Sequence, residues 1–124
     1  MDAPRDPIVE ANLQLRNRLQ WKPGKARPHL AKRIALGHLP HEASLEDYEA
    51  LIRRVVQTPA AEVFVYRWGE IAYLTVVATV NGVRWLVMFS MDGVMETAFP
   101  PENSAMYLGK APFTRVGTLE ELGL

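Results

Sequence analysis

The sequence predicts an α+β domain, with two to three N-terminal helices packed on one face of a four-stranded antiparallel β-meander. Three observations predict it. Apolar residues recur at three- and four-residue spacings up to Val56, then alternate from Glu62 onward. Asn81-Gly82 and Asp92-Gly93 sit between alternating runs, where such pairs turn hairpins. The 124 residues, 48% hydrophobic and 23% charged with mean hydropathy −0.07, suit one domain with its own core. The expected organisation is a disordered tail over residues 1–7, then a single domain over residues 8–124.

Each element has a local reason. Ile8, Val9, Leu13, Leu15 and Leu19 give a helical stripe over residues 8–20, with Arg16 and Arg18 outward. Residues 22–28 hold two prolines and a glycine, which break either period. Pro28 then starts a short helix over residues 29–36, with Leu30, Ala31 and Ile34 inward and Gly37 positioned to end it. Ser44 caps a third helix, with Asp47 three residues on completing a capping box. Its apolar face is Leu45, Tyr48, Leu51, Ile52, Val55 and Val56, and Thr58-Pro59 stops it.

Strands follow at residues 62–67, 71–80, 83–90 and 94–99. A two-residue Asn81-Gly82 turn sets Val80 opposite Val83, Ala78 opposite Trp85, Val76 opposite Val87 and Leu74 opposite Phe89. That apolar face is the one expected under the helices. The other face holds Tyr73, Thr75, Arg84 and Met88. A two-residue Asp92-Gly93 turn would add Met95, Thr97 and Phe99 to it, with Thr97 opposite Met88. A three-residue loop would swap these parities. Under the two-residue turn Glu96 points to the helix side, which requires a cation beside it. Residues 100–124 read as mostly loop, with Thr118 capping a final turn.

Composition excludes several functions. With no cysteine there is no disulfide, thiolate nucleophile or Cys-type zinc site. The start, MDAPRDP, is not a secretory signal, and no apolar run approaches the roughly 20 residues of a membrane span, so a cytoplasmic protein without membrane contact is expected. No phosphate-binding glycine loop, dinucleotide fingerprint or nucleophile elbow is present, and no cofactor is expected. His38, His41 and Glu42 straddle Pro40 without same-face helical spacing, so no metal site is assigned.

Charge is asymmetric although the net is zero. Up to Pro40 eight basic residues face three acidic ones, a net +5; from His41 six face eleven, a net −5. The basic stretch (Arg16, Arg18, Lys22, Lys25, Arg27, Lys32 and Arg33, with Trp21 among them) suits phosphates and a stacked base. The alternative is that this half folds against the acidic half and neutralises it. Tyr73, Thr97 and Arg84 on the sheet offer hydroxyls and a guanidinium to the same ligand. His29, beside Lys32 and Arg33, titrates near neutrality and suits proton transfer at a phosphate held by cations.

The residues His29-Leu-Ala-Lys-Arg33, the helix from Tyr48 to Val56 and the strand Met95-Glu-Thr-Ala-Phe-Pro100 carry a resemblance. Over roughly residues 28–100 the chain resembles the barnase–EndoU–colicin–RelE superfamily of small ribonucleases, toxin- or phage-associated type. The resemblance implies a metal-independent ribonuclease with His29, Arg84 and Thr97 as catalytic residues. It further implies Lys32 or Arg33 at the phosphate, Tyr107 as an outside candidate, RNA as substrate, and a cognate antitoxin or other protein partner. The alternative is a non-enzymatic interaction or regulatory domain, a homodimer or partner binder using the meander face or an edge. Trp68, Met88, Met91, Met95 and Met106 would then supply adaptable contacts.

Overall fold

The computed structural model describes residues 6–124; residues 1–5 of the expected tail lie outside them. Asp6 and Pro7 are not tail. The Asp6 carboxylate accepts the Ile8 N–H at 2.7 Å, and Pro7 opens helix α1 (Pro7–Asn17) where its missing N–H has no helical acceptor. α1 stops short of the expected Gln20. Arg18 turns extended (φ −150°, ψ 94°), and Gln20–Trp21 becomes a two-residue strand, β1.

Helix α2 (Ala26–Ala35) begins three residues before the expected start, with Pro28 inside its first turn. Gly37, at φ 75°, ends it in the left-handed conformation that glycine adopts without a Cβ clash. Helix α3 (Leu45–Gln57) carries the capping box: Asp47 N–H donates to Ser44 Oγ at 3.1 Å, and Ser44 N–H to Asp47 Oδ2 at 2.9 Å. No helix among the described residues is long and apolar enough to cross a membrane.

Strands β2 (Glu62–Trp68), β3 (Ile71–Val80), β4 (Val83–Ser90) and β5 (Val94–Phe99) form the expected antiparallel meander. Asn81 and Gly82 have φ of 51° and 78°, the mirror-image turn whose twist matches paired strands. The register follows: Val80, Ala78, Val76 and Leu74 lie opposite Val83, Trp85, Val87 and Phe89.

The sheet is larger than a four-stranded meander. It has six strands in the order β1-β5-β4-β3-β2-β6 and is mixed, because β1 runs parallel to β5. Residues 100–124 are not mostly loop. They supply helix α4 (Ser104–Leu108), capped by Asn103, and strand β6 (Phe113–Thr118), antiparallel to β2. Thr118 does cap the last turn, its Oγ1 accepting the Glu121 N–H at 3.1 Å.

The last hairpin combines both registers considered from sequence. Gly93 N–H donates to Ser90 O at 2.9 Å around the tip, and Phe89 pairs with Met95 while Met88 pairs with Thr97. The residue between, Glu96, is the extra one of a β-bulge. Met95 therefore does not share the face of Thr97. It is fully buried in the helix-side core.

That core joins Leu15 of α1, Leu30 of α2, Tyr48, Ile52, Val55 and Val56 of α3, and the inner side chains of the sheet. Each fully buried large aliphatic side chain contributes about 1.5–3 kcal/mol. The second sheet face is not open. Phe64, Val77, Leu86 and Met88 are buried there, covered by Phe99, Tyr107, Leu108 and Phe113. Met88 and Met95, two of the proposed surface contacts, are thus core residues; Trp68 and Met106 remain exposed, at 65% and 72%.

Candidate functional site

The end of β1 and the start of α2 meet the bulge of β5 in a cleft of about 390 Å³, lined by Lys22, Lys25, His29, Glu96 and Thr97. His29 comes from the first half of α2 and Thr97 from the sheet. The bulge admits Glu96 to the same place. Its carboxylate forms an ion pair with Lys22, the cation that its burial requires, and this hydrogen bond raises the Lys22 pKa.

The His29 ring is positioned by aromatic packing. It stacks on the Trp21 indole with centroids 5.6 Å apart and planes at 29°. Trp21 is held by its Nε1–H, which donates to Glu49 Oε2 at 3.1 Å, and by the buried Tyr48 ring at 5.6 Å. Tyr48 in turn donates its hydroxyl to the Ala98 carbonyl, and burial pushes its pKa to about 12. One chain of contacts thus ties α3, β1, α2 and β5 together under the cleft.

Burial, and next the Arg33 charge, lower the His29 pKa; Glu96 acts in the opposite direction. The imidazole is held neutral near pH 7 and can accept a proton. Lys25 is exposed and stands just before α2, and Thr97, which pairs with Met88, lines the same cleft. The cleft therefore brings a base, a hydroxyl, the Lys25 ammonium and the Lys22–Glu96 ion pair to one small volume.

The other sequence candidates separate into three groups. Arg84 does not join His29 and Thr97. It lies four residues along β4 from Met88, the partner of Thr97, which is about 13 Å of strand. There it pairs with Glu62, whose second oxygen accepts from Arg115 Nε at 3.0 Å, and it lines a different cleft with Phe64, Leu108 and Arg115. Glu62 thus sits between the two arginines, all three in the acidic half of the chain; the pairing of the basic with the acidic half expected from sequence is represented instead by Lys22–Glu96. Tyr107 does not line the His29 cleft; it packs on Phe99 and Phe113, and burial raises its pKa.

Lys32 and Arg33 line a separate cleft on the later part of α2. Arg16 is structural: its Nε donates to the Val56 carbonyl at 2.9 Å near the end of α3. Arg18 is exposed beyond α1, and Arg27 is exposed in a groove with Trp21, Pro23 and Leu45. Tyr73 is half-buried, its ring 5.9 Å from the Lys22 ammonium, which places it beside the cleft without lining it.

Sequence reasoning named Glu96 only as a misfit. Its discomfort on the helix side was the available signal, and the bulge is its resolution. His38 was weighed only for metal; its Nδ1 instead faces an Arg33 terminal nitrogen at 3.2 Å. Among the described residues no group of three or more His, Asp or Glu could hold a metal ion.

No protein-family model matches the chain, and neither curated proteins nor solved structures give a significant match to it.

Proposed function

We propose that the chain is a metal-independent ribonuclease that works in the His29 cleft. One observation carries the reading: His29 and Thr97, far apart in sequence, line one small cleft with Lys25 and with Lys22, whose ammonium pairs with the Glu96 carboxylate there.

The chemistry is transphosphorylation. Neutral His29 takes the proton of a ribose 2′-hydroxyl, whose oxygen attacks the adjacent phosphorus. The bond from phosphorus to the 5′-oxygen breaks, that oxygen takes a proton from water, and a 2′,3′-cyclic phosphate remains. His29 then returns its proton to solvent. Lys25 and the Thr97 hydroxyl bind the non-bridging oxygens, where negative charge grows in the transition state. Lys22 stays paired with Glu96 and holds the bulge in shape. Arg84 has no part in the step. This role set keeps the expected His29 and Thr97 and replaces Arg84 with Lys25.

The test is cleavage of single-stranded RNA by the purified protein in the presence of EDTA. His29→Ala is expected to lower the rate by about 10²–10⁴, the usual contribution of a general base. Intact RNA after incubation with the unaltered protein, or equal rates for the two, would overturn the assignment.

A further inference from the structure

Beyond the His29 cleft, a second cleft of about 350 Å³ is lined by Lys32, Arg33, Leu36, His38, Phe99, Pro100, Pro101 and Glu102. Arg33 sits in it with only 4% of its surface exposed. Among the described residues no carboxylate lies within ion-pair range of its guanidinium, and its Nε has no hydrogen-bond partner.

The immediate surroundings of this cation are neutral. His38 Nδ1 lies 3.2 Å from one terminal nitrogen and accepts from it, since an arginine only donates. The Phe99 ring centroid is 5.6 Å from Cζ, a cation–π contact. Glu102 is exposed on the rim, and its charge is felt at His38. A buried cation without a counterion is costly to a fold, and an unpaired Nε–H adds to that cost. Replacing buried charged groups with apolar ones of similar volume is often neutral or stabilising, so the presence of this one points to an anion that completes it.

We infer that this cleft binds a phosphate group through Arg33 and Lys32, with Phe99 and Pro100 as the apolar wall beside it. Two sources offer that group: a nucleic-acid strand, or free phosphate. Only the strand as source rests on the ribonuclease reading. In that case the occupant is a phosphate neighbouring the scissile one, because His29 precedes Lys32 and Arg33 by one turn of α2.

The experiment combines thermal unfolding with NMR of the Arg33 Nε–Hε and His38 ring signals. The probes are sodium phosphate against sodium chloride at matched ionic strength, and a trideoxynucleotide that cannot be cleaved for want of a 2′-hydroxyl. Phosphate is expected to raise the melting temperature and shift both signals, as any ligand of the folded state does. Arg33→Met should melt at or above the unaltered protein in chloride, and its His38 ring signals should no longer shift with phosphate. Lys32→Met, at an exposed position, should fold normally and bind phosphate several-fold more weakly. Shifts with the trideoxynucleotide at lower concentration than with phosphate identify a strand; the reverse order identifies the free anion. A phosphate-induced His38 shift that survives in Arg33→Met, or is equal in Lys32→Met, overturns the site, as does a chloride melting point for Arg33→Met well below that of the unaltered protein. His29→Ala separates the two readings: cleavage should fall by about 10²–10⁴ while the phosphate-induced shifts of the Arg33 and His38 signals stay.

Discussion

The His29 imidazole stacks on the Trp21 indole with centroids 5.6 Å apart and planes inclined at 29°, although one belongs to α2 and the other to the two-residue strand β1. Trp21 thereby acts as a positioning residue for the proposed base. It also covers the imidazole, and burial is the largest cause of the lowered His29 pKa.

Trp21→Leu is therefore expected to change two readouts together. The His29 titration midpoint, followed by NMR of its ring protons, should rise toward the ordinary value near 6.5. Cleavage should fall by up to about 10²-fold, the usual consequence of a misplaced catalytic group. A variant that loses activity with an unmoved midpoint would assign Trp21 to folding alone.

The two lowered histidines make stability depend on pH in a definite direction. His29 and His38 both have folded values below the unfolded one, each chiefly through burial and next through Arg33. Around and below pH 6.5 the unfolded chain binds protons that the folded chain resists, so their stabilising contribution is full above that pH and is lost as pH falls. Urea midpoints at pH 7.5 and 5.5 should differ, and His29→Asn with His38→Asn should narrow the difference. The acid limb of cleavage should have its midpoint below 6.5, because neutral His29 is the active form. A limb centred above 6.5 would contradict the burial of His29.

Much of the frame was legible because its signals are local. Ser44 and Asp47 cap one another within four residues, and Asn81-Gly82 sets the β3–β4 register through its own backbone preference. What escaped was set by distant partners. Gln20–Trp21 is too short to show a period, and its pairing partners Val94 and Met95 belong to the other half of the chain. β6 is a sheet-edge strand whose outer residues Thr114, Arg115 and Val116 are exposed, so it lacks the apolar alternation of β3 and β4. The cleft was half legible for the same reason. His29 and Thr97 carry recognisable chemistry, whereas Glu96 enters only through a bulge and Arg84 is drawn off by Glu62, two strands away.

Arg84 consequently gives a prediction opposite to the one its sequence suggests. Arg84→Ala should cleave RNA within about twofold of the unaltered protein, since about 13 Å of strand separates it from the level of Thr97. Its ion pair with Glu62 is partly exposed, and such pairs contribute about 0–1 kcal/mol, so stability should change little. Parallel measurements on Thr97→Val should show the larger loss of activity. If Arg84→Ala abolishes cleavage and Thr97→Val does not, the reaction belongs to the Arg84 cleft.

Gly93 tests the docking of α1 against the hairpin that carries the bulge. It stands at φ 77° beside the β4–β5 turn and is buried. A Cβ built there would lie 2.7 Å from Gln14 Cγ, 2.8 Å from Gln14 Cβ and 3.2 Å from the Ala11 carbonyl oxygen. Two separate costs follow for Gly93→Ala. The left-handed backbone penalises any Cβ by roughly 1–2 kcal/mol, and the close contacts push α1 from the sheet. Gln14→Ala alone is mild, since Gln14 is exposed on a helix, and it takes away the contact with Cγ. The contacts with Cβ and with the Ala11 carbonyl remain, as does the backbone strain. Urea unfolding should therefore rank Gly93→Ala as the least stable, the double variant Gly93→Ala/Gln14→Ala intermediate, and Gln14→Ala close to the unaltered protein. A fully recovered double variant would mean that the turn relaxes out of the left-handed region and that α1 packs more loosely on it than the 3.2 Å approach requires.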